Sequence, residues 1–488
     1  MFTYDPLSRR RFAQALSALT ALPGFAALAQ AQAQAGPRTR YGAHTAEGKK
    51  MLAIYHGAVA AMMDPAKYKE SDPRSWMFQW YVHAVRPDRT KAAEIQRVYP
   101  TPGPARDLAN KTWSTCEPHR ATSKGSDYFL PWHRMYVGFF EDIIRVVSGK
   151  PEFTLPYWDY TTPANLALPP EFLQKDDPQW KALYRPDRNA FANAGRPITD
   201  RGLPINLDAM KSALYAGSPT GAGFCANLDG QLHGNVHVSV GNGKGMGQVP
   251  WAANDPIFWL HHCNIDRVWA SWTKAGGGPP PKSTLEVAFD FADGQGKAVQ
   301  AIVKNYIAQS VVSYDTYLPR PPGSTPFPTG PLLTSVALRY QSKKATPLKA
   351  TPTTVPLAVQ GSGPLLTSGS SPLANVAPET PVTVVLDGIT GNTASEASVY
   401  EVHVAAGSQA PKAGDAGTYI GSLNLFGVGG HGEHSKHSAV LRRKVSYLVE
   451  GPARAALAAQ GTQPKVVLVP LGNTQGQASI DKIEVVAG

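Results

Sequence analysis

Two runs of histidine, far apart in the chain, constrain it more than any other feature, because the fold must bring buried imidazoles together. The first runs from His83 through Cys116-Glu117-Pro118-His119 to Phe129-Leu130-Pro131-Trp132-His133-Arg134. The second is His233-Gly234-Asn235-Val236-His237, followed by Asp255-Pro256-Ile257-Phe258-Trp259-Leu260-His261-His262-Cys263-Asn264-Ile265-Asp266. Imidazole is a neutral nitrogen ligand for copper, zinc, iron or nickel, so two groups of three would hold two metal ions and add no charge of their own. Such a site suits redox chemistry.

Local signals put these histidines on helices. Asp255 followed by Pro256 reads as an N-cap and first helical residue, with the helix running to Trp272 before the glycines at 276–278 stop it. Asp72-Pro73 repeats that start and opens a helix carrying Trp76, Trp80 and His83. His233 and His237 are four apart and share a face, while Trp132 to Val147 has helical periodicity with His133 in its first turn. Four converging helices with inward histidines make a known kind of metal-binding bundle. His261 and His262 point about 100° apart on a helix, so one of them is expected to be spare.

The remaining sequence frames that bundle. Arg9, Arg10 and Arg11 precede an apolar run from Ala13 to Leu28 that ends in alternating Ala and Gln, so residues 1–35 read as a twin-arginine export signal. The expected location is therefore periplasmic or secreted. No later stretch is apolar enough to span a membrane. Net charge is +11, or +9 without residues 1–35, and no nucleic-acid motif accompanies it. Three cysteines are too few for a disulfide scaffold, and Cys225 with Cys263 reads either as a bridge or as two buried thiols.

Composition divides the chain. Residues 36–317 are rich in Trp, Tyr and His; residues 318–377 turn to Pro, Ser, Thr and Gly and read as a linker. Residues 378–488 hold short β-branched runs between Gly and Asn turns, which predicts a small antiparallel β-sandwich after the mainly α-helical bundle. This C-terminal part is a candidate lid. His431, His434 and His437 lie in its Gly-rich loop, where they read as a solvated segment, a transient metal site or a shield. His44, His56 and His403 read as ordinary surface or hydrogen-bonded histidines.

Phe129-Leu-Pro-Trp-His133-Arg134-Met-Tyr-Val137-Gly-Phe-Phe-Glu141 and Asp255-Pro-Ile-Phe-Trp-Leu-His-His262-Cys-Asn-Ile-Asp266 resemble the two copper-binding motifs of the tyrosinase, catechol oxidase and molluscan haemocyanin superfamily. The tail's Tyr400-Glu-Val-His-Val and Tyr419-Ile-Gly-Ser-Leu-Asn-Leu look like the C-terminal domain of plant-type polyphenol oxidases. The resemblance implies His83, His119 and His133 on one copper and His233, His237 and His262 on the other, leaving His261 spare. His119 stands ten residues before Phe129, a wider spacing than the family's usual five or six.

By the same resemblance Cys116 is a candidate for a thioether to His119, against an ordinary buried thiol. Asp229 is a candidate for holding the water that deprotonates substrate, against a helix-start cap. Gly234 follows the first ligand of the second site, where true tyrosinases often carry Asn; here Asn235 comes one position later, which shades the expectation toward diphenol oxidation. The activity implied is oxidation of ortho-diphenols to ortho-quinones by O₂ with two coppers, together with hydroxylation of monophenols. A catechol oxidase without that hydroxylation, or a haemocyanin-like oxygen carrier, uses the same histidines.

Overall fold

The computed structural model describes residues 38–119, 126–307, 312–327, 336, 338–360, 372–406, 410–429, 442–472 and 474–488. Residues 1–35, the His119 side chain and His431, His434 and His437 lie outside the described residues, and with them the expected export signal and the Cys116–His119 thioether.

The helical part is built around Ala46–Met63, Trp76–His83, Phe129–Ser148 and Ile257–Lys274. The Phe129–Ser148 helix buries fourteen of its twenty residues, and the Ile257–Lys274 helix buries nearly every position, so both run through the core rather than over it. Phe140 stacks on Trp259 between them, with ring centres 3.5 Å apart. The Trp76 helix starts three residues later than Asp72-Pro73 predicted: Asp72 closes a turn with Arg74, and Ser75 is the cap, its oxygen accepting from the Phe78 amide. Asp255 caps its helix nearly as expected, accepting from Ile257 N at 3.1 Å. It also pairs with the buried Arg188.

A short strand, Arg38–Arg40, pairs in parallel with Val312–Tyr314 and so joins the two ends of this part. Arg40 is buried and reaches Glu141 on the Phe129–Ser148 helix and Asp266 on the Ile257–Lys274 helix, while Arg134 takes the second oxygen of Asp266. Tyr314 donates to the same carboxylate at 2.6 Å. Every charge in the network has an opposite partner, which is what burial of this many ions requires.

The C-terminal part is one nine-stranded antiparallel sheet, not the two packed sheets of a sandwich. Its order is Tyr419–Asn424, Val399–Val404, Lys465–Leu471, Thr353–Gln360, Leu338–Ser342, Ala478–Ala487, Val382–Gly391 and Arg443–Leu448, with Thr346–Pro347 attached to the Ala478 strand. The ladder never breaks into two, so twist curls it toward a barrel around its own apolar core. The end strands meet where Tyr447 Oη donates to Ser422 O at 2.9 Å. Leu338–Ser342 and Thr353–Gln360 belong to this sheet although they fall in the stretch whose composition reads as linker. No helix among the described residues is long and apolar enough to cross a membrane.

Candidate dinuclear metal site

The histidines converge in two groups. His83, Cys116 and His133 form one, and His233, His237, His261 and His262 the other; within each, the possible ligand atoms lie within 4.8 Å of one another. All of these residues are buried. His262 stands between the groups, its ring stacked on that of His133 at 4.2 Å.

The rings are aimed by hydrogen bonds at Nδ1. His83 faces Val249 O at 3.1 Å, His133 faces Phe129 O at 2.8 Å and His237 faces Met246 O at 2.8 Å. His233 faces Asp229 Oδ1 at 3.0 Å. An imidazole anchored through Nδ1 presents Nε2, and orientation of this kind is how proteins fix metal-ligating rings. The Nε2 atoms of His237, His261 and His262, and Nδ1 of His262, are buried with no hydrogen-bond partner. Buried polar atoms left in this way are rare unless something binds them. Burial, followed by the neighbouring imidazoles, holds the pKa values of His237, His261 and His262 well below the usual range, so they are neutral and ligand-competent.

His261 is not turned away from the cluster, despite the angular separation along its helix. Tyr160 Oη meets its Nδ1 at 2.8 Å, and its ring lies parallel to that of His233 with centres 5.4 Å apart. His83 sits where a ligand is needed, at the end of its helix and 5.8 Å from the His133 ring. His56, by contrast, packs on Trp180, and His403 sits inside the β domain between Glu401 and Thr418. Cys116 Sγ is 3.6 Å from His133 Nε2. Cys225 and Cys263 are not joined, and Cys263 donates to Leu155 O.

His233 ends a π-helical turn, Asp229–His233, that joins the helix Phe224–Leu228 to the helix Gly234–Val240, which carries His237. Such turns occur at functional sites because the inserted residue re-aims side chains. The turn abuts the β domain. Asn424 Nδ2 donates to Gly230 O at 2.7 Å and Gln231 O at 2.9 Å, and Arg443 lies 3.5 Å from Asp229 Oδ2. Gly234 has no room for a side chain, since a Cβ there would lie 1.9 Å from Asn424 Oδ1. Asn235 donates to Pro204 O and to Ser422 Oγ, both at 2.8 Å.

Phe426 completes the contact. Its ring lies flat on His237 at 4.0 Å and meets His233 edge-on at 5.6 Å. No pattern in the sequence marked Phe426 or Arg443, and Asn424 stood out only as part of the tail motif Tyr419-Ile-Gly-Ser-Leu-Asn-Leu, because their significance comes from docking across the two parts of the chain.

Residues 73–275 match the family model for the common central domain of tyrosinase. This segment of the chain carries the tyrosinase-type central domain. It is 32 % identical over 287 residues to the tyrosinase HcTyr1 of Hahella sp. (strain CCB-MM4), covering 53 % of this chain and 59 % of that protein. It is 30 % identical over 318 residues to a chloroplastic polyphenol oxidase of Spinacia oleracea, covering 55 % and 45 %. The chain thus spans less than two thirds of these relatives. A solved latent aurone synthase (polyphenol oxidase) aligns at TM-score 0.61 and 19 % identity over 92 % of this chain and 89 % of that one. A latent apple tyrosinase aligns at 0.59 and 21 % over 93 % and 98 %. With over nine tenths of the chain aligned, the shared fold takes in the β domain as well as the helices.

Proposed function

We propose that the protein is a copper-dependent phenol oxidase that uses O₂ to oxidise ortho-diphenols to ortho-quinones and to hydroxylate monophenols. The observation that carries this is the pair of facing, buried imidazole groups, with unpartnered nitrogens on His237, His261 and His262, which fit two soft-to-borderline metal ions without added charge. His83, His119 and His133 would hold one copper and His233, His237 and His262 the other. Bound copper would supply O₂ binding and accept the substrate's electrons. The chain's own residues hold the imidazoles rigid through the Nδ1 contacts, exclude water by burial and offer the His237 face for a stacked phenol ring.

Asp229 is the carboxylate nearest the second group. Its Oδ1 orients His233 through Nδ1. Its Oδ2 faces Arg443, so the β domain must leave before that oxygen can take up a phenolic proton through water. Asn424 of the β domain fills the space over Gly234, and Asn235 is directed to Pro204 and Ser422. In this reading the β domain is a lid, with Phe426 occupying the place of the substrate ring. The protein is exported by its arginine-led signal, so Arg9→Lys with Arg10→Lys would leave it in the cytoplasm.

The test is turnover of tyrosine and of its ortho-diphenol, with copper measured on the same sample, before and after cleavage within residues 320–370. Quinone formation from the diphenol with two coppers per chain is expected. Reversible O₂ binding without turnover of either substrate after cleavage would make the protein a carrier instead.

A further inference from the structure

The second histidine group offers four nitrogens, and the phenol oxidase reading uses three of them. Nε2 of His261 is buried without a hydrogen-bond partner and lies within 4.8 Å of the ligand atoms of His233, His237 and His262. The rings of His233, His237 and His261 stand 4.6, 5.4 and 4.8 Å apart, centre to centre. With His262 in place of His261 the separations are 4.6, 5.0 and 5.7 Å, so His261 is as close to a shared ion as the ligand beside it.

The partner at Nδ1 sets His261 apart. His83, His133 and His237 face carbonyl oxygens and His233 a carboxylate oxygen. Such oxygens only accept, so Nδ1 carries the proton and Nε2 keeps its lone pair. His261 instead faces the hydroxyl of Tyr160 at 2.8 Å, which can accept or donate. Either tautomer is then satisfied. With the proton on Nδ1 the ring offers Nε2 to an ion, and with the proton on Nε2 the ring lets go while keeping its hydrogen bond.

We propose that His261 is a holding ligand: a lone ion in the second group is bound by His233, His237, His261 and His262 together, and His261 is released when both groups are filled. Four nitrogens close the coordination of a tetrahedral ion, whereas three leave a position open for reaction. A half-filled centre thus keeps its ion shielded, and the filled centre regains its open position. His261 is the member to leave, because it and His262 project about 100° apart from their helix and cannot both be ideally placed. The inference rests on the two-metal reading of the site and adds a residue that acts during loading.

The experiment uses zinc, which undergoes no redox change, and the full metal-free chain carrying His83→Ala, so that only the second group binds tightly. Affinity is read by competition with a chromophoric chelator. Adding His261→Ala should weaken the lone zinc ion by roughly tenfold or more, as removal of a metal's supporting groups does. Tyr160→Phe keeps the imidazole and removes its hydroxyl partner; it should weaken the ion severalfold, and it serves if His261→Ala disturbs folding. With histidine labelled by ¹⁵N, the His261 Nε2 resonance should move to a metal-bound position at one zinc in the His83→Ala chain. In the unsubstituted chain with two zinc ions it should be that of a protonated nitrogen. Unchanged affinity in both variants, or an Nε2 resonance that ignores the lone ion, would overturn the holding role. Loss of one copper at saturation in His261→Ala would overturn it too, since that marks a permanent ligand. Catechol turnover by the copper-loaded unsubstituted chain is scored separately: its absence overturns the oxidase reading and leaves the zinc result standing.

Discussion

Each histidine whose Nδ1 meets a carbonyl or carboxylate is locked in one ring orientation, and that lock separates a ligand from a merely buried imidazole. His262 differs, since neither nitrogen has a partner in the protein. His262→Ala should therefore drop bound copper from two per chain toward one, whereas His261→Ala, which removes a ring anchored by Tyr160, should keep two. Metal analysis after desalting decides between them, and loss of copper in the His261 variant alone would reverse the assignment. The same burial sets a pH dependence. In the metal-free chain, His237, His261 and His262 stay neutral when folded, while the unfolded chain takes up their protons below about pH 6.5. The unfolded state then binds more protons, so stability is full above that pH and falls as pH drops below it, by up to about 1.4 kcal/mol per pH unit for each group. Urea unfolding of the metal-free protein at pH 7.5 and 5.5 should show this loss; equal midpoints would contradict it.

At the scale of elements, the helices near the two long motifs were legible because capping, proline position and aromatic periodicity agree there. The Ile257–Lys274 helix begins two residues after Asp255, close to its expected start. The π-helical turn was not legible: His233 and His237 satisfy a helical spacing, and nothing in their order records the extra residue in the turn between Asp229 and His233. The sandwich expectation failed because strand content is written in β-branched runs, while the choice between two sheets and one curled sheet depends on which strands pair. Asp255 illustrates an element held from outside. Its carboxylate caps the helix start and pairs with Arg188, both nearly inaccessible to solvent. Removing one partner strands the other charge, so Arg188→Leu should cost about 3–5 kcal/mol in the metal-free protein, read from denaturant midpoints. At the docking face, Phe426→Ala should raise catechol oxidation by the uncut chain tenfold or more without changing copper content. An unchanged rate would mean that the ring is not the barrier.

On the scale of the whole molecule, the sequence pointed to histidines that the fold brings together, His83 through its aromatic helix and the others through motif resemblance, and what could not be read was everything that depends on the β domain lying against them. Asn424, Phe426 and Arg443 are about 190 or more residues from the helical turns they touch. No local pattern reports such a contact. Cleavage between the two parts should therefore raise diphenol turnover, and the gain should be smaller in Phe426→Ala because the obstruction has already gone. Equal gains in the two proteins would place the barrier elsewhere on the docking face.

The strand Arg38–Arg40 pairs with Val312–Tyr314 across 274 residues, and Arg40 ties together the helices that carry His133 and His262. Closing a loop of that length is slow compared with forming the helices themselves. During synthesis the chain must run 274 residues past Arg40, to Tyr314, before this clasp can form, so the helices that carry the two histidine groups are tied to one another only after all the candidate ligands have emerged.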